Sequence, residues 1–264
     1  MSDGPPTSLL EVIGVAKSFG GVKAVRDLSF AVPRAAVVGL IGPNGAGKST
    51  AIEVISGFLR ADAGKIIFAG REIQRWPSHR ISSSGLVRTF QAPREWAGLT
   101  VMDNMLLAAD PKGRDKGWKA LAIRTRLRRL EDEDRRRARE LLERFELLAL
   151  RDQMAGELSG GQKRLLEFAR IAMRQPRLVL LDEPTAWVNP VLKMRIHAAI
   201  VELSNSGIAV LLVEHDLPFV DQACEMVFVM DAGVTIAHGT LSELRQMPSV
   251  VDAYLGDVEA EASG

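Results

Sequence analysis

The sequence predicts an α/β fold. Its core has a parallel central sheet, an N-terminal antiparallel β region leads into it, and a helical subdomain is inserted between its halves. Three observations carry this. Val37-Val38-Gly39-Leu40-Ile41, Leu178 to Leu181 and Ile208 to Val213 are apolar runs without alternation, as strands buried on both faces of a parallel sheet require. Helical patterns separate these runs. Between about residues 88 and 156, Leu127, Leu130, Asp134, Ala138, Leu141, Phe145 and Leu148 recur at three and four residues, a mostly apolar helical stripe.

Taken in order, Leu9 to Ile13, Ala24 to Val32 and Lys65 to Phe68 read as short strands with turns, and Asp27 to Val32 alternates as a half-buried strand does. The α/β core is assigned to 1–87 and 157–264, the inserted lobe to 88–156. Eight arginines from Arg124 to Arg139 surround the acidic run Glu131-Asp132-Glu133-Asp134. A solvated helix face held by i,i+4 ion pairs is the preferred reading, and contact with anionic lipid the minority one. At 264 residues and 47% hydrophobic composition the chain can bury a large core. It has no run near the ~18 apolar residues of a spanning helix, and its start lacks a signal-peptide pattern. With a single cysteine, Cys224, this predicts a cytosolic protein. A net charge of +1 argues against a nucleic-acid partner.

The chemistry begins at Gly42-Pro43-Asn44-Gly45-Ala46-Gly47-Lys48-Ser49-Thr50, directly after a buried strand and before an expected helix from Ser49 to Ile55. Its glycines allow backbone N–H groups to point inward at phosphate oxygens, and the helix N-terminus adds partial positive charge. Lys48 supplies a full charge to the β- and γ-phosphates, and the Ser49 hydroxyl suits Mg²⁺. Asn44, Gly45, Gly47, Lys48, Ser49 and Thr50 are the expected nucleotide contacts. Asp182 and Glu183 end the run at Leu181, where α/β sheets bind ligands. Asp182 is expected to hold Mg²⁺ and Glu183 to polarise an attacking water.

His215 follows Val210-Leu211-Leu212-Val213-Glu214 at the tip of another such strand and is expected near the γ-phosphate. His79, His197 and His238 lack that context and read as structural. Leu158-Ser159-Gly160-Gly161-Gln162 opens an amphipathic stretch from Lys163 to Met173. Ser and Gly at a helix start make a second phosphate nest, redundant within one site. Two facing copies resolve the redundancy, each capping the nucleotide held by the other's Lys48; an N-capped helix with a flexible glycine pair is the plainer alternative. Gln91, near the entry to the lobe, is a candidate for the Mg²⁺ shell. Phe19, before Gly20-Gly21, is a candidate for stacking on adenine, with a core aromatic as the alternative. Trp76, Trp96 and Trp118 read as packing residues.

The ordered series of phosphate loop, Gln91, the Ser159 signature, Asp182-Glu183 and His215 resembles the ATP-binding cassette (ABC) ATPases over nearly the whole chain. Pro77-Ser78-His79-Arg80-Ile81, Val87-Arg88-Thr89-Phe90-Gln91, Leu99 to Asn104, Gly156 to Glu167 and Val251 to Gly256 are most similar to ATPase subunits of bacterial importers for branched-chain amino acids, urea and amides. The resemblance implies ATP and Mg²⁺ as cofactors and catalytic roles for Glu183, His215 and Gln91. Ser49, Gln91 and Asp182 would lie around the metal, and Ser159, Gly160, Gly161 and Gln162 at the nucleotide. It further implies a homodimer or heterodimer on the cytoplasmic face of the membrane, docked on two permeases and fed by an external solute-binding protein. Cassettes for lipid or lipopolysaccharide extraction, and soluble cassettes without a transporter, are the competing readings. Two departures stand out. Pro33-Arg34-Ala35-Ala36 replaces a Gly-Glu turn, so Ala35 at a left-handed position would cost ~1 kcal/mol unless the turn type has changed. Trp187 stands where the family loop has glycine, as an anchor for the partner chain or a wedge against it.

Overall fold

The computed structural model describes residues 8–89, 95–109, 120–186 and 188–254, with side chains in the helix at 120–144 described from residue 132 onward. The chain divides into two compact units, 1–91 with 177–264, and 92–176. The second unit runs past the boundary drawn at 156, because the helix opened by Ser159 packs on the other lobe helices.

Among the described residues the first unit holds a ten-stranded sheet in the order β5-β4-β1-β2-β10-β9-β3-β8-β7-β6. Strands β1 (Ser8–Phe19), β2 (Val22–Pro33), β4 (Ala63–Phe68) and β5 (Arg71–Glu72) pair antiparallel. Strands β3 (Val37–Ile41), β6 (Leu86–Arg88), β7 (Leu178–Asp182) and β8 (Ala209–Val213) run parallel, with β9 (Met226–Asp231) parallel to β3 and β10 (Val234–Gly239) returning as its hairpin partner. Helices α1 (Lys48–Ile55), α2 (Ser78–Ser83), α6 (Pro190–Asn205), α7 (Leu217–Ala223) and α8 (Leu241–Leu244) belong to this unit. Every residue of β3, β7 and β8 is buried, which is why none of the three alternates.

β1 extends to Phe19, well beyond the expected end at Ile13. Gly14 sits at φ +57° within the register shift between Val12 and Val15; such a bulge breaks the period-two pattern and conceals the continuation. β2 alternates as expected, with Leu28, Phe30 and Val32 buried between exposed or half-buried neighbours.

The register places the site. Val213 lies level with Leu40 on one side and Asp182 on the other. Chain leaving β3, β7 and β8 therefore emerges along one edge, carrying Gly42, Glu183 and Glu214 side by side.

The second unit is helical: α3 (Val101–Ala108), α4 (Ala120–Arg144) and α5 (Gly160–Arg174) pack on one another. They bury Val101 and Met105, Ala138, Leu141 and Leu142, and Leu165, Phe168 and Ala169. Of the arginine run, Arg135, Arg136 and Arg139 are exposed, while Arg137 donates to the Ala172 carbonyl near the end of α5 at 2.8 Å. Asn104 is fully buried and clasps the Trp96 backbone, accepting from its N–H at 3.0 Å and donating to its carbonyl at 3.1 Å. Trp96 lies under the Arg170 guanidinium (4.2 Å) and Glu95 pairs with Lys163 (2.9 Å), so the chain at 95–96 is fastened to α5.

Candidate functional site

The loop after β3 is shaped by two glycines with no room for a side chain. A Cβ on Gly42 (φ +153°) would lie 1.9 Å from the Met230 carbonyl oxygen, and one on Gly47 (φ +98°) 2.2 Å from that of Ala24. The β9–β10 hairpin supports the loop, its Gly233 N–H donating to the Ala46 carbonyl at 3.0 Å. Gly45 (φ +78°) faces open space, and Asn44, Gly45 and Ser49 are exposed. Lys48 is buried and its Nζ donates to the carbonyls of Gly42 (2.7 Å) and Pro43 (2.8 Å). The ammonium thus bends back over its own loop, on acceptors that phosphate oxygens can replace.

Asp182, at 4% exposure, ends β7. The Arg88 guanidinium on neighbouring β6 pairs with it at 3.1 Å and reaches toward Glu53 of α1 at 4.0 Å. A buried carboxylate requires such a partner. Glu183 adopts φ +46°, and its N–H donates to the Val213 carbonyl at 2.9 Å. His215 is 61% exposed at its side chain, with Nδ1 at 3.9 Å from both Glu183 Oε1 and Glu214 Oε2. The structure therefore brings Glu183 and His215 together.

Phe19 is 48% exposed at the end of β1, 5.6 Å from Lys17 Nζ. It is not a core aromatic, and its ring is accessible for stacking. In the helical unit, Ser159 and Gln162 form a capping box: Ser159 Oγ accepts from the Gln162 N–H (3.3 Å) and Gln162 Oε1 from the Ser159 N–H (2.9 Å). The capped-helix alternative thus holds in part, since both side chains serve the helix start. Gly160 is exposed, with nothing near its missing side chain, so the close approach a nest requires is also open. Behind it, Arg164 pairs with Glu167 at 2.8 Å, yet burial pushes the Glu167 carboxyl up.

Gln91, Trp118 and Trp187 lie outside the described residues. His197 Nε2 meets the Gln222 carbonyl at 3.1 Å and His238 stacks on Phe228, both structural arrangements. Trp76 packs against the core beneath Arg80. Sequence reasoning did not single out Arg88, Thr185 or Glu214. Each joins the site through pairing of strands distant in the chain, and only the polar character of Glu214 after an apolar run signalled it.

With this geometry in view, the chain matches the family described as ABC transporter over residues 25–186. It is 39% identical over 253 residues to the "Probable branched-chain amino acid transport ATP-binding protein LivG" of Archaeoglobus fulgidus, covering 96% of this chain and 97% of that protein. The high-affinity branched-chain amino acid transport ATP-binding protein BraF of Pseudomonas aeruginosa is 38% identical, covering 94% and 98%. Among solved structures, the ADP conformation of an ATP-binding cassette of an ABC transporter superposes with a TM-score of 0.78 at 35% identity, covering 94% of this chain and 99% of that one.

Proposed function

The chain belongs to the ABC transporter family, and from that premise we propose that it is the ATP-hydrolysing subunit of an importer for a small polar solute. The relatives' names favour branched-chain amino acids; urea and amides are the other solutes the resemblance of the sequence implies. The observation that carries the proposal is the shared edge of β3, β7 and β8. It sets a glycine-shaped loop with a buried lysine beside a glutamate and a histidine 3.9 Å apart.

In this reading Lys48 leaves its loop carbonyls for the phosphates, while the loop amides and the start of α1 hold the remaining charge. Phe19 stacks on the base. Glu183 orients water toward the γ-phosphate, and His215 steadies that geometry from the chain just beyond β8. Ser159, Gly160, Gly161 and Gln162 cap the nucleotide of a second chain.

The residues fit magnesium. Asp182 and Ser49 offer a carboxylate and an exposed hydroxyl, both hard oxygen donors. Among the described residues no cluster of three His, Cys, Asp or Glu is present, and a carboxylate with substrate phosphates is how proteins commonly share this ion. If bound there, Mg²⁺ would supply charge neutralisation at the phosphates, held by Asp182 and Ser49.

Among the described residues no helix is long and apolar enough to cross a membrane. We place the protein at the cytoplasmic face, on two permease subunits. Lys48→Ala tests the site: calorimetry with ATP is expected to show affinity lowered roughly 10- to 100-fold, the cost of losing hydrogen bonds to a charged group. Wild-type affinity would remove Lys48 from the site.

A further inference from the structure

Glu214 stands between the last residue of β8 and His215, and none of it reaches solvent. A carboxylate in that position must be satisfied by donors or it destabilises the fold. Its Oε1 accepts two hydrogen bonds from Thr185, one from the backbone N–H at 2.8 Å and one from the hydroxyl at 2.6 Å. Its Oε2 accepts from the His215 N–H at 3.2 Å. Thr185 is itself buried, two residues beyond Glu183.

We propose that Glu214 is a positioning residue for hydrolysis, acting through Thr185 to hold Glu183 in its left-handed backbone conformation. The inference rests on the reading of Glu183 as the group that orients water. A glutamate at φ +46° keeps that conformation only where its surroundings impose it. Here they do so from both sides. Upstream, the Glu183 N–H is tied to the Val213 carbonyl of β8 at 2.9 Å; downstream, Thr185 is tied to Glu214, one residue further along the same chain. Pro184, its φ restricted by the ring, bridges the two anchors.

A carboxylate suits the second anchor because one oxygen must take two donors, and ionised acceptors make the shorter, stronger bonds. Without it, Glu183 relaxes toward ordinary backbone geometry and its side chain is re-aimed. The phosphate loop is untouched, since neither Glu214 nor Thr185 contributes to it. Turnover should fall while nucleotide affinity stays.

The test uses the full chain with Glu214→Ala, Glu214→Gln, Thr185→Val and Thr185→Ser. ATP affinity is measured by calorimetry without metal, and kcat in a magnesium-supplemented ATPase assay. Glu214→Ala is expected to lower kcat about 100-fold, the cost of a misplaced catalytic group, with ATP affinity unchanged. Glu214→Gln keeps an oxygen that accepts both Thr185 bonds but loses the acceptor for the His215 N–H, and should recover part of the turnover. Thr185→Val should lose turnover in the same direction, and Thr185→Ser should match the wild type. A hydrolysing wild type alongside an equally active Glu214→Ala overturns this inference alone. So does a loss of ATP affinity as large as the loss of kcat, or a Gln variant as slow as Ala. Should Glu214→Ala fail to fold, wild-type turnover from Thr185→Val overturns the inference. A wild type without ATPase activity overturns the functional reading and this inference with it.

Discussion

Ala35 occupies the turn between β2 and β3 at φ +52°, the left-handed conformation that the departure from a Gly-Glu turn raised as a question. Its carbonyl accepts from Ser204 Oγ at 2.9 Å, so the turn is held from α6 despite the cost. Ala35→Gly should therefore stabilise the protein by up to about 1 kcal/mol, read as a higher urea midpoint. A lower midpoint would show that glycine's unfolded-state entropy outweighs the relief. At this scale the sequence was legible wherever chemistry is contiguous. Lys48 and Ser49 follow glycines at positive φ that have no room for a side chain, and Asp182-Glu183 end an apolar strand. Arg88 and Glu214 were illegible for the opposite reason. Arg88 meets Asp182 only because β6 pairs with β7, and Glu214 meets Thr185 only because β7 pairs with β8.

Among the elements, the strands buried on both faces were recovered almost residue for residue, since burial on both faces leaves an unmistakable apolar run. The β9–β10 hairpin was missed. Its turn, Ala232-Gly233, has both residues at positive φ, and β10 is half-buried along most of its length without alternation. Yet this hairpin supports the phosphate loop. Two element-level contacts allow direct tests.

Asp216 caps α7, accepting from the Phe219 N–H at 3.2 Å, and pairs with Lys193 of α6. The Lys193 hydrogen bond, with that backbone bond behind it, holds the Asp216 carboxyl below the usual carboxylate range. A carboxyl depressed in the folded state stabilises above its unfolded value near ~3.9, and the stability is lost as pH falls through the folded value. Lys193→Met should thus be less stable than wild type at neutral pH, with the gap closing in acid. A gap in denaturant midpoint that does not narrow at all as pH falls below the unfolded value would contradict the pairing. Cys224 follows α7, where burial pushes its thiol up to about 12. Alkylating reagents at mildly basic pH should label this half-buried thiol much more slowly in the native chain than on unfolding; equal labelling rates would be inconsistent with the raised thiol.

For the molecule as a whole, the insertion was legible as a change from strand to helical patterning, and its far boundary was not. The signature helix α5 follows a loop motif that reads as belonging to the nucleotide core, while its packing partners are α3 and α4. The signature also bears on assembly. If Ser159, Gly160 and Gly161 cap a second chain's nucleotide, Lys48→Ala and Ser159→Arg chains should each be inactive alone, and their mixture should regain activity through heterodimers with one intact composite site. A fully active Ser159→Arg chain would contradict sharing. The central claim is narrower than assembly: the edge formed by β3, β7 and β8 hydrolyses ATP with Glu183 as the water-orienting group. Glu183→Gln keeps the side chain's size and removes its ability to take a proton. The deciding measurement is turnover and ATP retention by this variant. The account predicts ATP bound as in the wild type and turnover abolished; near-normal turnover would contradict it.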